Sequence, residues 1–473
     1  MKKYLIFVAL TIFTIVSIGY SQRTGEGVYQ EAGENPHEGY VKSFEGTKTC
    51  LKCHEKEAKD VFHSTHYQWK TDTPDVIGAG GKKLGKINVI NDFCTGPWIS
   101  WIFDVKNKGG KIVTNGCSKC HAGLGLMPSE TMSQEQLENI DCLICHAPGY
   151  NRKVVNENGK LRWVPTDEKD VLLVRAQNVQ KPKKGMCLRC HAGAGGGFNF
   201  KRGDIEAGMV KADKDLDVHL AGGLNCIDCH KTENHRISGR GTDLAGTDNK
   251  SHKPSCDTAE CHGNKPHSNE LLNRHTLTVD CTVCHIPEFA KREKTDMERT
   301  WSHMEYLKEA DKYEPEIKFQ KNVIPVYAWW NGKSFIHDPE KPVEIVQGTL
   351  TMAGPCGGIK DPNSKIYAYK LHKSKLPIDS ETRKLIPVAT DIAFLEGNVD
   401  KAIKEGAKRA FGKELKKYEF VETERYMGIF HGVSPKEKAL KCNDCHSEKG
   451  RIDFKALGYK GDPMKVGGRF SKK

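Results

Sequence analysis

Apolar residues are sparse along this chain, and one uninterrupted apolar run stands out, from Leu5 to Ile18. Two lysines precede this run, and the small residues Gly19 and Ser21 occupy positions −3 and −1 of a cleavage site that would follow Ser21. An uncleaved membrane anchor is the alternative, but the run is shorter than the roughly 20 residues that a spanning helix requires. We predict that residues 1–21 are a signal peptide and that the mature protein is periplasmic, with peripheral membrane contact or none.

The next part of the chain, residues 22–291, has no long apolar pattern. Segments rich in Gly, Lys and Asn separate short cysteine-containing motifs, so there is little room for an aliphatic core. Only 37% of the whole chain is apolar, while it contains 46 glycines and 18 cysteines. This texture predicts short helices that carry the motifs, irregular connectors and few strands.

Longer periodic patterns appear from residue 292 onwards. Residues 292–313 are charged and place Trp301, Met304 and Leu307 near helical spacing, which predicts a helix. Residues 400–429 also have a helical pattern. Both segments favour a largely helical C-terminal region.

One stretch of this C-terminal region has the composition of a strand pair. Residues 323–351 are rich in β-branched and aromatic residues on both sides of an Asn-Gly pair, which predicts a β-hairpin. The predicted fold is therefore mainly α with much irregular structure and a small β-hairpin region. Residues 292–473 are expected to close over the preceding region and to carry one last motif.

Almost all of the cysteines belong to one repeated motif. Seven Cys-x-x-Cys-His motifs and one with a longer spacer, which we number first to eighth in chain order, account for sixteen of the eighteen. They are Cys50 and Cys53 with His54, Cys117 and Cys120 with His121, Cys142 and Cys145 with His146, Cys187 and Cys190 with His191, Cys226 and Cys229 with His230, Cys256 and Cys261 with His262, Cys281 and Cys284 with His285, and Cys442 and Cys445 with His446. Cys94 and Cys356 remain outside the motifs.

This spacing suits covalent attachment of haem. Two thiols three residues apart can form thioethers to the two vinyl groups of one porphyrin, and the adjacent His can then bind the iron. Zinc sites and disulfides also use paired cysteines, but they do not require His at the same offset every time. The sequence therefore predicts eight covalently attached haem c groups, which would themselves form most of the core.

The net charge of +12 raises the question of nucleic acid as a partner. The propionates of eight haems would outweigh this charge, so the lysines are expected to pair with propionates. We predict no nucleic-acid partner.

Twelve of the twenty histidines lie outside the motifs and could supply second axial ligands. Seven lie close to a motif in sequence and are the predicted distal ligands: His66, His219, His235, His252, His267, His275 and His431. Seven ligands for eight haems leave one iron without a distal histidine, and chemistry at iron requires such an open position.

Several connecting segments are similar to those of the octahaem tetrathionate reductase family. They are the third motif with Gly149, Tyr150 and Lys153, the segment from Asn91 to Cys94, the segment from His66 to Trp69, the segment from Trp329 to Gly332, and the stretch from His431 to His446. The resemblance spans most of the mature chain. Cys356 departs from the family pattern, as does an Asn in place of Lys after Tyr150.

The resemblance implies a catalytic haem at the second motif, with Lys153 as an axial ligand. Lys153 would replace His121 or lie opposite it, and replacement is favoured because it frees the other face for substrate. The resemblance also implies a reactive cysteine, Cys94, with Asn91 beside it; a buried inert thiol and a disulfide to Cys356 are the alternatives. A thiolate can attack the S–S bond of a polythionate.

These inferences lead to a periplasmic octahaem reductase that converts tetrathionate to thiosulfate, with nitrite and hydroxylamine as other small substrates. Seven bis-histidine haems would pass on electrons from an external donor protein or a quinol-linked cytochrome. A relation to hydroxylamine oxidoreductase or to ammonia-forming nitrite reductase is the enzyme alternative, although no motif ends in Lys. A non-catalytic electron carrier is the third hypothesis, and it requires an eighth distal histidine from His303, His337 or His372.

Overall fold

The computed structural model describes residues 36–93, 95–239, 248 and 252–469. The predicted signal peptide and Cys94 lie outside these residues. No helix within the described ranges is both long enough and apolar enough to cross a bilayer.

Most of the helices are short, and seven of the eight haem motifs lie within or at the start of an α-helix or a 3₁₀ turn. The α-helices are α1 (Thr47–Phe62), α2 (Thr65–Gln68), α3 (Gln134–Glu138), α4 (Leu143–His146), α5 (Lys169–Gln177), α6 (Lys184–His191), α7 (Val218–Ala221), α8 (Cys226–Cys229), α9 (Glu270–His275), α10 (Cys281–His285), α11 (Thr390–Glu396), α12 (Val399–Phe411), α13 (Cys442–Cys445) and α14 (Pro463–Val466). Three 3₁₀ turns span Cys117–Cys120, Ala207–Lys211 and Lys436–Lys438.

Strands are short in the first half of the chain and long in the second. They are β1 (Val76–Ile77), β2 (Val105–Lys106), β3 (Ile112–Thr114), β4 (Arg152–Glu157), β5 (Lys160–Pro165), β6 (Thr232–Glu233), β7 (Arg236–Ile237), β8 (Thr295–Leu307), β9 (Lys312–Gln320), β10 (Val326–Trp330), β11 (Ser334–Ile336), β12 (Thr349–Pro355), β13 (Lys365–Asp379) and β14 (Tyr418–Gly428).

An eight-stranded mixed sheet organises the second half of the chain. Its order is β1-β11-β12-β14-β13-β8-β9, and β10 also pairs with β13. The longest ladder joins β13 and β14 antiparallel, from Tyr369 opposite Gly428 to Asp379 opposite Tyr418. The prediction of a mainly α fold is therefore only partly right, and the C-terminal region is not mostly helical. The division of the chain near residue 291 stays a prediction.

The segment predicted as a charged helix is strand β8. Trp301 and Met304 are both buried although they are three residues apart, a spacing that a regular strand would place on opposite faces. The register between β8 and β9 shifts between Thr300 and Met304, so a bulge returns the second side chain to the core face. Because of this bulge, the buried residues of β8 have a spacing close to that of a helix, and the sequence therefore predicted a helix.

The predicted hairpin at residues 323–351 is also wrong. Its two strands exist, and Asn331 and Gly332 do connect them, but β10 pairs with β13 whereas β11 pairs with β1 and β12. The Asn-Gly pair thus joins two strands that find their partners elsewhere in the sheet. The helix predicted over 400–429 covers only α12, and the rest of that range is strand β14.

The main aliphatic core lies between this sheet and helices α11 and α12. Ile403 and Ala407 of α12 pack with Trp301, Leu376 and Ile386. A Cβ atom at Gly406 would lie 1.9 Å from the carbonyl oxygen of Pro387, so only glycine allows this close approach. The motif-bearing half has smaller apolar clusters, in line with the prediction that it has little aliphatic core.

Candidate functional site

Seven motif histidines each face a second histidine across a gap of nearly constant size. The pairs and the distances between their ring centres are His37–His54 (5.9 Å), His66–His191 (6.1 Å), His146–His235 (6.3 Å), His219–His262 (6.0 Å), His230–His431 (6.2 Å), His267–His285 (6.1 Å) and His275–His446 (6.2 Å). An imidazole nitrogen binds a metal at roughly 2 Å, so two axial rings on one iron place their centres roughly 6 Å apart. The residues therefore fit seven haem irons with two histidine ligands each.

Hydrogen bonds fix the orientation of several of these rings. The Nδ1 atoms of His146, His230 and His275 lie 2.9, 2.8 and 2.8 Å from the carbonyl oxygens of Gln180, Ser238 and Leu271. A carbonyl only accepts, so Nδ1 carries the proton and the lone pair of Nε2 is left for a metal. This tautomer is the one that an axial ligand needs.

Six of the seven predicted distal histidines lie in such pairs, and His252 does not. His252 lies near His230, whose ring faces His431 instead. The seventh partner is His37, which was left unassigned in the sequence because it precedes the first motif by thirteen residues. Pairing also does not follow proximity in the chain, since His66 follows the first motif but faces the fourth.

His121 of the second motif is the exception. Its side chain is fully buried and lies among Tyr67, Trp69 and Trp101, with ring centres 5.0, 5.6 and 4.9 Å away. Its Nε2 atom, the one that binds iron in a standard motif, lies 2.6 Å from the carbonyl oxygen of Tyr67 and donates to it. Burial lowers the pKa of His121 to about 3, so the imidazole is neutral.

The pocket around His121, formed by Tyr67, Trp69 and Trp101, is itself held by polar contacts. The hydroxyl of Tyr67 donates to Gln136 and accepts from the Asn139 side chain at 2.9 Å. Gly123 leaves the space that the ring occupies, because a Cβ there would lie 2.6 Å from Cε1 of His121. None of these residues was singled out as a site residue in the sequence, although Trp69 belongs to one of the family segments.

The β4–β5 hairpin places Lys153 beside the second motif. Its neighbour Arg152 is buried, forms an ion pair with Asp141 at 2.9 Å and donates to the carbonyl oxygens of Lys119, His121 and Gly123. Arg152 thus ties the hairpin to the motif from one face of β4. Lys153 is exposed on the opposite face, and no ion pair or hydrogen bond joins its side chain to a described residue.

Asn91 lies in a buried turn. It is 3% exposed, and its Oδ1 atom accepts from the backbone N–H of Phe93 at 2.9 Å. Its Nδ2 atom is buried and has no hydrogen-bond partner among the described residues, so this amide has a donor to spare. Cys94 lies outside the described residues.

Neighbouring thiols show how the motifs are arranged. Cysteines of two different motifs lie close enough to interact in seven places. The pairs are Cys50 and Cys142, Cys145 and Cys187, Cys120 and Cys190, Cys187 and Cys226, Cys229 and Cys261, Cys256 and Cys281, and Cys284 and Cys445. The motifs therefore follow the order first, third, fourth, fifth, sixth, seventh and eighth. The second motif branches from the fourth.

The comparisons with known proteins agree with this geometry. The crystal structure of octaheme cytochrome c from Shewanella oneidensis is 32% identical in sequence and has a TM-score of 0.72, and the match covers 89% of this chain and 94% of that one. This chain belongs to the octahaem cytochrome c family. A family model described as bacterial cytochrome c matches residues 289–449.

This octahaem cytochrome c family member is also similar to a protein of Archaeoglobus fulgidus described as uncharacterized. The two are 31% identical over 290 residues, which is 51% of this chain and 93% of the relative. The predicted covalent attachment of haem c is confirmed by the family.

A buried ionic cluster supports the turn that contains Asn91. Asp92 accepts from Nε of Arg425 at 2.5 Å and from Nδ1 of His372, and the other ring nitrogen of His372 lies 3.1 Å from Asp296. Arg299 pairs with Asp296 at 2.8 Å. All five side chains are at most 3% exposed.

The ionic cluster of Asp92, His372, Asp296, Arg299 and Arg425 is electrostatically matched. Burial alone would raise the pKa of Asp92, but Arg425 and His372 outweigh it and hold this pKa well below its usual range. The ring of Phe93 lies 4.0 Å from that of His372, so the cluster fixes the residues immediately before Cys94.

The contacts of His372, Tyr327 and Cys356 show where these three residues lie. His372 is fully buried in the ionic cluster and cannot contact a substrate directly. Tyr327 lies near Cys284 and Cys445 of the seventh and eighth motifs, away from the second motif. Cys356 is half-buried in the segment that follows β12, where its backbone bonds Asn331 and Lys333.

Proposed function

We propose that this protein is an exported octahaem reductase that acts on a small oxidised anion at the haem attached through Cys117 and Cys120. The observation that carries the proposal is the burial of His121. Seven motif histidines have a histidine opposite them, whereas His121 has its Nε2 bonded to a backbone carbonyl in a closed aromatic pocket. One of eight haems is then left with a different ligand set.

Lys153 is the proposed ligand in place of His121. The contacts of Arg152 hold the hairpin against the second motif, so the backbone at Lys153 stays close to that motif, while its exposed side chain has no ion pair or hydrogen bond to a described residue. A lysine must be deprotonated to bind iron, and the metal's charge favours that form. With His121 bonded elsewhere, Lys153 would hold the iron of this haem, and the haem would supply electrons and a binding position for substrate.

The residues around the second motif suit an anion. Lys119 is exposed on the motif itself, and the amide donor of Asn91 has no other partner among the described residues. The proposed reaction transfers two electrons to tetrathionate, breaks its central S–S bond and releases two thiosulfate ions without consuming a proton. Cys94 is proposed to assist as a thiolate, and the electrons come from an external donor protein.

Nitrite and hydroxylamine are the alternative substrates, and their reduction consumes protons. A pure electron carrier is less well supported, because it needs an eighth histidine pair. None of His303, His337 and His372 lies opposite His121 in the described structure; His372, for example, is engaged by two carboxylates.

The test is turnover of the holoprotein with reduced methyl viologen and tetrathionate, nitrite or hydroxylamine in parallel. We expect the highest rate with tetrathionate. Faster turnover of nitrite or hydroxylamine would assign the site to nitrogen chemistry. Absence of turnover, together with a visible spectrum that cyanide and nitrite leave unchanged, would overturn the enzyme hypothesis.

Gly123→Ala tests the pocket that withdraws His121. The new Cβ would lie 2.6 Å from Cε1 of His121 and 2.8 Å from Nδ2 of Asn139, so the imidazole must move. We expect a loss of about 1–3 kcal/mol in the free energy of unfolding from overpacking. Because the displaced imidazole can reach the iron, we also expect one haem to change its ligand signature in electron paramagnetic resonance.

Gly358→Ala is the matched control, because a Cβ there has no neighbour within 4 Å. It should change neither the stability nor the spectrum. A Gly123→Ala protein with the parent spectrum would show that this pocket does not determine the ligand.

A further inference from the structure

The motif line has two ends at which an external protein could deliver electrons. The first motif lies at one end, the eighth lies at the other, and the second branches from the line at the fourth. Electrons delivered at either end would pass through the fourth motif to reach the second. The two ends differ in their surface charge.

The eighth-motif end is basic and the first-motif end is nearly neutral. Residues 435–469 contain nine basic and five acidic side chains, whereas residues 36–70, a window of the same length, contain six and five. Four of the six lysines of the first window form ion pairs, as in the pairs Lys56–Asp60 and Lys59–Glu55 within α1.

The lysines of the eighth-motif end are largely unmatched. Six of them are exposed and form no ion pair with a described residue: Lys436, Lys441, Lys449, Lys455, Lys460 and Lys465. Lys438 is the exception, with Asp215 at 2.8 Å. With nine basic and five acidic side chains, residues 435–469 have a net charge of +4.

Exposed apolar side chains lie within this basic region, next to the last histidine pair. Asp462, the N-cap of α14, lies 2.6 Å from Nδ1 of His446, and Met464 and Val466 of the same helix are 60% and 55% exposed. On the other side of the pair, α9 carries His275. Transient electron-transfer interfaces combine a small apolar centre with a charged rim that steers the partner.

We propose that the eighth-motif face, formed by residues 435–469, is the docking surface for an acidic one-electron donor protein and the place where electrons enter. This proposal rests on the proposed function in one respect only, namely that a reductase must receive its electrons from an external donor. The partner's acidic side chains would meet the unmatched lysines, and its redox centre would lie over the exposed apolar side chains of α14. Specificity then comes mainly from the rate of encounter, which depends on charge and salt.

The experiment is stopped-flow reduction of the oxidised holoprotein by flavodoxin hydroquinone, an acidic donor, without any substrate. Each transfer moves one electron from the anionic flavodoxin hydroquinone to the protein and leaves the neutral semiquinone, with no proton released. We expect the second-order rate constant to fall about tenfold or more between low and high salt. Lys449→Glu/Lys460→Glu should lower the low-salt rate constant by about tenfold.

Lys48→Glu/Lys56→Glu, at the first-motif end, is the matched control and should leave the rate constant near that of the parent. Reduction by dithionite, which needs no docking surface, should be the same in all three proteins. Equal effects of the two double variants, or a larger effect of the control, would overturn the proposal. If Lys449 and Lys460 only neutralise propionates, their reversal would also change reduction by dithionite, and that result would count against docking. Because no substrate is present, either result is independent of the role of Lys153.

Discussion

Lys153→Ala is expected to lower turnover by at least about 100-fold and to change the ligand signature of one haem only. Changes to residues that merely orient a metal ligand already cost 10–100-fold, and this variant removes the proposed ligand itself. The other seven histidine pairs lie on separate motifs and should keep their spectra. Magnetic circular dichroism in the near infrared, which distinguishes lysine from histidine ligation, is the measurement.

Lys160→Ala provides the control for the loss of a surface charge. Lys160 lies on β5, the partner strand of the same hairpin, and is exposed like Lys153. The Lys160→Ala variant should have the same spectrum and the same turnover as the parent protein. An unaltered ligand band in Lys153→Ala would remove this lysine from the iron, whatever happened to activity.

Asp92→Asn is expected to have the largest effect on stability, about 3–5 kcal/mol in the free energy of unfolding. The substitution removes the carboxylate charge that accepts from Nε of Arg425, a side chain at 0% exposure, and that faces Nδ1 of His372. Denaturant unfolding followed by circular dichroism measures this loss. Glu422→Gln, which neutralises an exposed carboxylate on the same strand as Arg425, should cost less than about 1 kcal/mol.

The effect of Asp92 also depends on pH in a defined direction. Its pKa is held below the ordinary value of 3.8 in the folded protein, so the unfolded chain takes up a proton first as the pH falls. The stabilisation is therefore present at neutral pH and is lost below about pH 3.8. Parent and Asp92→Asn stabilities should approach each other in that acid range, and a constant difference down to pH 2 would contradict this assignment.

Local chemistry explains what could be predicted from the sequence. A haem motif needs two thiols and a histidine within five to seven residues, so the motifs were recognisable without any knowledge of the fold. Distal ligands come from elsewhere in the chain. Six were found because they lie near a motif, but the pairing of His66 with His191 depends on packing between distant segments.

The errors have a common physical cause. Whether His37 or His252 becomes a distal ligand depends on where each lies in the folded chain, and no local sequence pattern encodes that position. Strand β8 appeared helical because a bulge sets the spacing of Trp301 and Met304, and the Asn-Gly turn after Trp330 joins strands with distant partners. In each case tertiary contacts overrode a local pattern. The burial of His121 left no local signal at all.

The ionic cluster of Asp92, His372, Asp296, Arg299 and Arg425 has a consequence for the order of folding. Asp92 and Arg425 are 333 positions apart in the chain, and β1 likewise pairs with β11 across more than half of it. Loops of this length close slowly, since their entropy is lost before any contact compensates for it. The turn at Asn91 therefore cannot reach its final form until strand β14, which carries Arg425, has joined the sheet.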